Sequence, residues 1–506
     1  MSVHELVLTV DIQHRGAPFD GWGTSLCWFA NATGTYPETL RERLYQAVFG
    51  PDGLNLNIAR YNIGGGTGLD IADYLRPGGA VPGWWAHTYA GQDATFANRE
   101  GYRQTWSPYD PAAYDFEADQ GQRWWLQRLA QDQHITHFEA WANSPPFFMT
   151  NSGYVTGGLD ATKDQLRDDC IEAFTAYLVR VAEHLEQAHG MRFHSINPMN
   201  EPNTDFWFTP LNSDGSPIGS SEGAHVSPEL QNKLIQALYT ELRRPGTTTR
   251  AVISAPDETQ PDLFVKDWQG WSDTTRQMVG QLNVHTYVTA DRPKVREIAT
   301  QAGKPLWMSE VEGSFAPGAF NPIDMRNGLG MAQHMVDDLR ELEPKAWIFW
   351  QTIQDLPGPD WPGDVNWGSI FVPFTATPDE SLPIVTNTKF NTVRNFTHYI
   401  HPGDIQVGVN DPSSVAFITP SGTGLRVVHV NSSDDSHDLG LDLTHIGDWR
   451  TATATTVTTT TPPPDDPTGN ALVKTSAAIN PDGSITVPSP AQSVVTLVID
   501  NLHIRA

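Results

Sequence analysis

Cysteine is nearly absent: Cys27 and Cys170 are the two in 506 residues, far apart and each inside an apolar stretch. They supply neither a disulfide framework nor a thiolate zinc site, and both are expected as buried free thiols. Basic residues are scarce as well. Lys and Arg number 32 against 59 Asp and Glu, a formal net charge of −27, which argues against a nucleic-acid partner because phosphate recognition relies on clustered cations. Acidity of this kind also keeps a secreted or high-salt protein in solution, so it names no function by itself. No run approaches 18 consecutive apolar residues, so no membrane span is expected, and Met1 to Leu6 lack the basic segment and apolar core of an export signal. The expectation is a monomeric, secreted protein whose signal has been removed, with a cytoplasmic one as the alternative. Gly64-Gly65-Gly66 lacks the spacing of a phosphate-binding loop, and His134, His137, His194 and His285 fall in no zinc motif. No metal and no cofactor is expected.

Aromatic residues are plentiful, with 17 Trp, 21 Phe and 13 Tyr, and 39% of the chain is hydrophobic, ample for a core. The length suits a barrel of roughly 250 to 400 residues with a smaller partner. From Phe19 onward, short apolar runs alternate with stretches of helical periodicity, the pattern of βαβ units around a parallel sheet. Eight such runs, near 19–26, 57–62, 138–143, 195–200, 252–256, 282–287, 306–310 and 346–350, predict an α/β fold with a (β/α)8 TIM barrel over 16–403. Helices are predicted over 163–186 and 228–242, where apolar residues recur at three and four. Beyond residue 404 the pattern turns strand-like, at 415–418, 425–430, 451–459, 484–487 and 493–499, predicting a side β-sandwich over 404–506 that the N-terminal strand in 1–15 joins. The Thr-rich stretch 451–464 reads as a strand running into a Pro-rich loop rather than a mucin-like linker, because the strands after it need partners.

Active sites of such barrels lie at the carboxyl ends of the strands. Two carboxylates close apolar runs there: Glu201, in Asn197-Pro198-Met199-Asn200-Glu201-Pro202, and Glu310, in Leu306-Trp307-Met308-Ser309-Glu310. Cleaving a glycosidic bond requires one carboxylic acid to protonate the leaving oxygen and a second carboxylate to attack or to activate water. Glutamates on the fourth and seventh strands face each other across the mouth. A gap of about 5 to 5.5 Å would retain the anomeric configuration and one of about 6.5 to 9.5 Å would invert it. Strand parity does not separate Glu310 from Glu312; Glu310 is preferred because it closes the apolar run. Parity also forbids Asn200 and Glu201 from facing one pocket off a regular strand, so a bulge or other irregular backbone is expected at 199–201.

Arg60 sits among apolar neighbours where it can hold a carboxylate ionised, Tyr287 can donate its hydroxyl to Glu310, and Asn200 can bond a sugar hydroxyl. Trp350 is the candidate floor for a sugar ring. Trp28, Trp84, Trp85, Trp207, Phe208, Trp361 and Trp367 follow strands and are candidates for further sugar contacts, about half of them expected to touch ligand.

These residues resemble glycoside hydrolase family 30. The likeness runs from Phe19-Asp20-Gly21-Trp22-Gly23-Thr24-Ser25-Leu26, through Asn143-Ser144-Pro145-Pro146-Phe147-Phe148 and Asn200-Glu201-Pro202, to Ser493-Val494-Val495-Thr496-Leu497. The resemblance implies a barrel with a side sandwich built from both chain ends, retaining chemistry and no metal. It assigns Glu201 as acid/base and Glu310 as nucleophile, with Arg60, Asn143, Asn200, Trp207, Tyr287 and Trp350 around the sugar. Ala142 stands where some relatives carry a Trp. The opening Gly21-Trp22-Gly23-Thr24-Ser25-Leu26-Cys27-Trp28-Phe29-Ala30 is most similar to the branch that cleaves β-1,6-galactan side chains of arabinogalactan. Another β-glycan (β-1,6-glucan, xylan or glucosylceramide) and a non-catalytic carbohydrate-binding barrel are the alternatives, and endo or exo cleavage stays open.

Overall fold

The computed structural model describes residues 5–358, 366–375 and 377–505. Eight parallel strands close into a barrel: β1 (Gly21–Ser25), β2 (Ile58–Asn62), β3 (His137–Trp141), β4 (Ser195–Asn197), β5 (Val252–Glu258), β6 (Val279–His285), β7 (Leu306–Val311) and β8 (Ala346–Phe349), each beside its sequence neighbour. Every one overlaps a predicted run. Their side chains are buried almost throughout, as expected for a parallel sheet covered by helices, and that burial is why they read as apolar runs rather than alternating ones.

Helix α2 (Pro228–Leu242) has the predicted limits because its start is written locally: Ser227 caps it by accepting from the Leu230 N–H, and Pro228 fills the first turn. Helix α1 (Ile171–His189) begins eight residues later than periodicity predicts. The backbone just before it is already committed, since Asn151 N–H donates to the Gln165 carbonyl at 2.7 Å and Gln165 N–H to the His225 carbonyl at 2.9 Å. Tertiary hydrogen bonds there outweigh a helical pattern. The helix stops at Gly190, whose φ of +66° suits a residue without a Cβ. No described helix is long and apolar enough to cross a membrane.

The side domain is a sandwich to which both chain ends contribute. One sheet runs in the order Val10–Pro18, Ile405–Val409, Ser414–Ile418, Gly424–Asn431, Ser493–Asp500, Thr453–Thr459 and Val473–Ala477. The other has Glu5–Leu8 parallel to His437–Asp442, which pairs with Ser484–Ser489. The Thr-rich segment is therefore a paired strand. Val473–Ala477 escapes the strand pattern in the sequence, and its composition explains why: it is an edge strand, exposed and polar (Val-Lys-Thr-Ser-Ala).

The seven-stranded sheet is apolar on both faces. Ala416, Ile418, Leu425, Val427 and Leu497 point into the sandwich, whereas their neighbours Val415, Phe417, Val428, Val430 and Val494 pack with Phe19 and Phe396 of the barrel. Period-two alternation thus serves two cores at once. Helix α3 (Met325–Glu341) and helix α4 (Thr388–Thr397) lie between barrel and sheet. On α4, the buried Asn395 donates from Nδ2 to the Val457 carbonyl at 3.0 Å and to Thr496 Oγ1 at 3.1 Å, and its Oδ1 accepts from Thr459 Oγ1 at 2.6 Å.

This junction is testable. Replacing Asn395→Leu strands buried hydroxyls and a carbonyl, which costs about 2 kcal/mol and lowers the urea midpoint of unfolding. A variant that unfolds at the wild-type midpoint would show that the junction does not hold the two parts together.

Candidate active site

The interior of the barrel is organised around one guanidinium. Arg60 on β2 is wholly buried. Its Nε meets Glu139 of β3 at 2.8 Å, its Nη2 pairs with Asp257 of β5, and its Nη1 donates to the Ser309 carbonyl at 3.0 Å and reaches Glu310 of β7 at 3.4 Å. The flat face of the cation lies 4.6 Å from the Trp141 ring. Burial alone would discharge this group, but the carboxylates of Asp257, Glu139 and Glu310 outweigh it and hold Arg60 charged.

A second cation sits above the first. His285 ends β6, with Nε2 3.1 Å from Asp257 and Nδ1 3.1 Å from Glu201 and 3.6 Å from Glu310. Burial opposes its charge, yet Glu310 and Asp257 push it up to about 10. Asp257, held between Arg60 and His285, stays well below the usual carboxylate range despite its burial.

Glu201 and Glu310 complete the cluster. One oxygen of each, with a ring nitrogen of His285, lies within 4.8 Å of the others. Three such atoms are also the outline of a metal site, but a charged imidazole has no lone pair to offer, so this set suits proton transfer. Burial raises Glu310 to about 7, with the charge of Glu201 adding to the rise while His285 and Arg60 oppose it. Each of two carboxyls this close opposes ionisation of the other. Tyr287 donates its hydroxyl to Glu310 at 3.0 Å, so Glu310 is the member better furnished to bear the charge.

The backbone that presents these groups is irregular, as parity requires. Strand β4 stops at Asn197, so 199–201 obey no strand alternation. Glu201 has a φ of +44°, and its N–H donates to the Asp257 carbonyl at 2.8 Å. The bulges lie instead on the neighbours. The pairing of β6 with β5 skips Asp257, and its pairing with β7 skips Ser309, which lets adjacent side chains turn to the same centre.

Asn143, Asn200, Glu201, Trp207, Tyr287, Glu310 and Trp350 all line one cavity of about 260 Å³ at the carboxyl ends of the strands, with Arg60 buried beneath. The Asn200 Oδ1 is buried without a protein partner and is open to a hydroxyl. Trp350 meets Trp28 edge-on at 5.1 Å, and Trp367 stacks on Tyr287 at 6.1 Å. Of the other loop aromatics, Trp28, Trp207 and Trp367 line the cavity. Trp84 and Trp85 are packed into the core and Phe208 faces solvent, while Trp361 lies outside the described residues. Glu312 turns away from the cavity, and its carboxylate meets the buried Lys389 of α4 at 2.6 Å.

Sequence reasoning missed Glu139, Asp257, Glu222 and His285 as members of this site. Glu139 and His285 carried a signal, being ionisable residues inside apolar strands, where burial demands a partner. Asp257 fell one residue past the predicted end of its strand. Glu222 lies in a loop without periodicity, and its partners, Asn62 Nδ2 and Gly65 N–H at 2.8 Å each, come from a distant strand end.

Residues 86–303 match the family profile described as O-Glycosyl hydrolase family 30. The chain is 31% identical, over 95% of its length, to an exo-beta-1,6-galactobiohydrolase of Bifidobacterium longum subsp. longum, and it spans 38% of that relative's length. It is 27% identical to an endo-beta-1,6-galactanase of Hypocrea rufa, covering 87% of this chain and 84% of that one. In fold it is similar to the catalytic domain of GH30 xylanase C from Talaromyces cellulolyticus, with a TM-score of 0.67 at 18% identity over 98% of this chain and 100% of that one. Residues 86–303 thus match the family 30 profile, and the chain as a whole has the fold of that GH30 xylanase.

Proposed function

We propose that the chain is a retaining glycosidase that cleaves β-1,6-linked galactosyl units, with Glu201 as acid/base and Glu310 as nucleophile. The observation that carries this reading is the approach of the two carboxyls within 4.8 Å over a buried cation, a gap suited to direct attack rather than to an intervening water. The sugar class is supported by the activities of the two relatives, both directed at β-1,6-galactosyl linkages.

In the first step a Glu310 oxygen attacks the anomeric carbon, the bond to the leaving oxygen breaks, and Glu201 gives that oxygen its proton. In the second, water attacks the same carbon, Glu201 takes the water's proton, and the ester to Glu310 breaks, so two inversions give net retention. Arg60 and Tyr287 keep charge on the attacking carboxylate before attack. The Trp350 and Trp28 rings give the sugar an apolar floor, and Asn200 and Asn143 offer amides to its hydroxyls. A galactan polymer does not cross a bilayer, so this reading puts the enzyme outside the cell.

Azide separates the two roles. Glu310→Ala should lose about four orders of magnitude in kcat and, with azide, form the α-galactosyl azide from an activated aryl substrate. Glu201→Ala should form the β-azide. Azides of the same configuration from both variants would refute the assignment.

The pH profile tests the raised carboxyl. Glu310 is raised to about 7 by burial and by Glu201, and it must be ionised to attack, so kcat/KM on a substrate whose leaving group needs no acid should fall tenfold per pH unit below about 7. Glu201→Gln removes the raising charge, so this acidic limb should move to lower pH. A Glu201→Gln profile with the limb unmoved would rule out the coupling.

A further inference from the structure

The loop that leaves Glu201 turns apolar side chains outward. Phe206 is 49% exposed, Phe208 45%, Leu211 46% and Ile218 46%. Exposed apolar groups gathered on one loop beside a cleft mark a binding surface more often than they mark chance.

The loop is held firmly. Thr209 N–H donates to the Gly158 carbonyl at 2.9 Å, Ile218 N–H to the Pro210 carbonyl at 2.8 Å, and Asn212 N–H to the Ser216 carbonyl at 2.8 Å. Trp207 is wedged inward, its ring so close to Gly223 that no Cβ would fit there, and its indole N–H donates to the Glu201 carbonyl at 3.0 Å. Phe206 is exposed and also lines the cavity, its ring packed on the Trp207 ring at 4.7 Å, so the outward surface is continuous with the cavity wall.

We propose that Phe206, with Phe208 behind it, is the receiving surface for the sugars on the leaving-group side of the cleaved bond. This rests on the glycosidase reading with Glu201 as acid/base. The residue that protonates the leaving oxygen faces the leaving group, and the chain emerging directly from it borders that half of the substrate. Rigid aromatic faces stack on the C–H faces of neutral sugar rings at little entropic cost. The enzyme therefore recognises the glycan chain beyond the cleavage point.

The test compares β-1,6-galactotetraose with β-1,6-galactobiosyl fluoride, whose departing fluoride occupies no sugar site. The ratio of their kcat/KM values should fall about tenfold in Phe206→Ala, fall by a smaller factor in Phe208→Ala, and recover in Phe206→Trp. A ratio unchanged in the double variant overturns the proposal, and so does an equal loss on both compounds, which would report damage to the cavity itself. A dimer that the double variant dissolves, seen by light scattering with the ratio unchanged, would assign the patch to a second copy of the chain. A wild-type chain inactive on both compounds would refute the underlying glycosidase reading, and this proposal with it.

Discussion

The site depends on keeping the Arg60 cation charged in the dry interior of the barrel. An unpaired charge there would cost many kcal/mol, and removing one partner of such a buried pair typically costs about 3 to 5 kcal/mol. The guanidinium is suited to the position because its five donors leave in one plane. They reach Glu139 on β3, Asp257 on β5, and both the Ser309 carbonyl and Glu310 on β7. A lysine ammonium has the charge without that fork. Arg60 therefore fixes the relative positions of three strand ends at once, and Glu310 inherits its position from them. The same cation bears on the charge of Glu310. Arg60 and His285 both favour its ionised form, yet burial and the charge of Glu201 outweigh them and raise it to about 7.

Two of the non-glycine residues with positive φ meet at the same place. Glu201 and Asp257 both have positive φ, +44° and +67°, each costing of order 1 to 3 kcal/mol for residues other than glycine. The two are joined by the Glu201 N–H to the Asp257 carbonyl. What this strain provides is direction, since regular strands would send Glu201 and Asn200 to opposite faces. The surrounding barrel is stable enough to hold the strain, and the double-faced sheet of the side domain adds a second apolar layer behind it.

The eight strands were legible because burial on both faces makes them apolar runs, and Glu201 and Glu310 because each closes such a run. Helix α2 was legible from Ser227 and Pro228, whose effects are local. The start of α1 was not, because the chain around Gln165 bonds to loops far along the sequence. Glu139 and His285 were missed although each is an ionisable residue in an apolar strand, because which charge answers which is decided by the closure of the barrel, a property of no single segment. Bulges at Asp257 and Ser309 were hidden for the same reason, being mismatches between two strands.

The network is built from the protein's own side chains and backbone, bonded to one another. Its dipoles and charges point at Glu310, the proposed nucleophile, and groups fixed in this way need not reorganise as charge moves in the transition state. Solvent would have to reorient to give the same stabilisation. The cost of that readiness has been met in folding, through the desolvation of Arg60 and the strain at Glu201 and Asp257. On this view the apolar layers on both sides of the long sheet serve the proposed site as well as stability, because they hold a strained and highly charged interior in one arrangement.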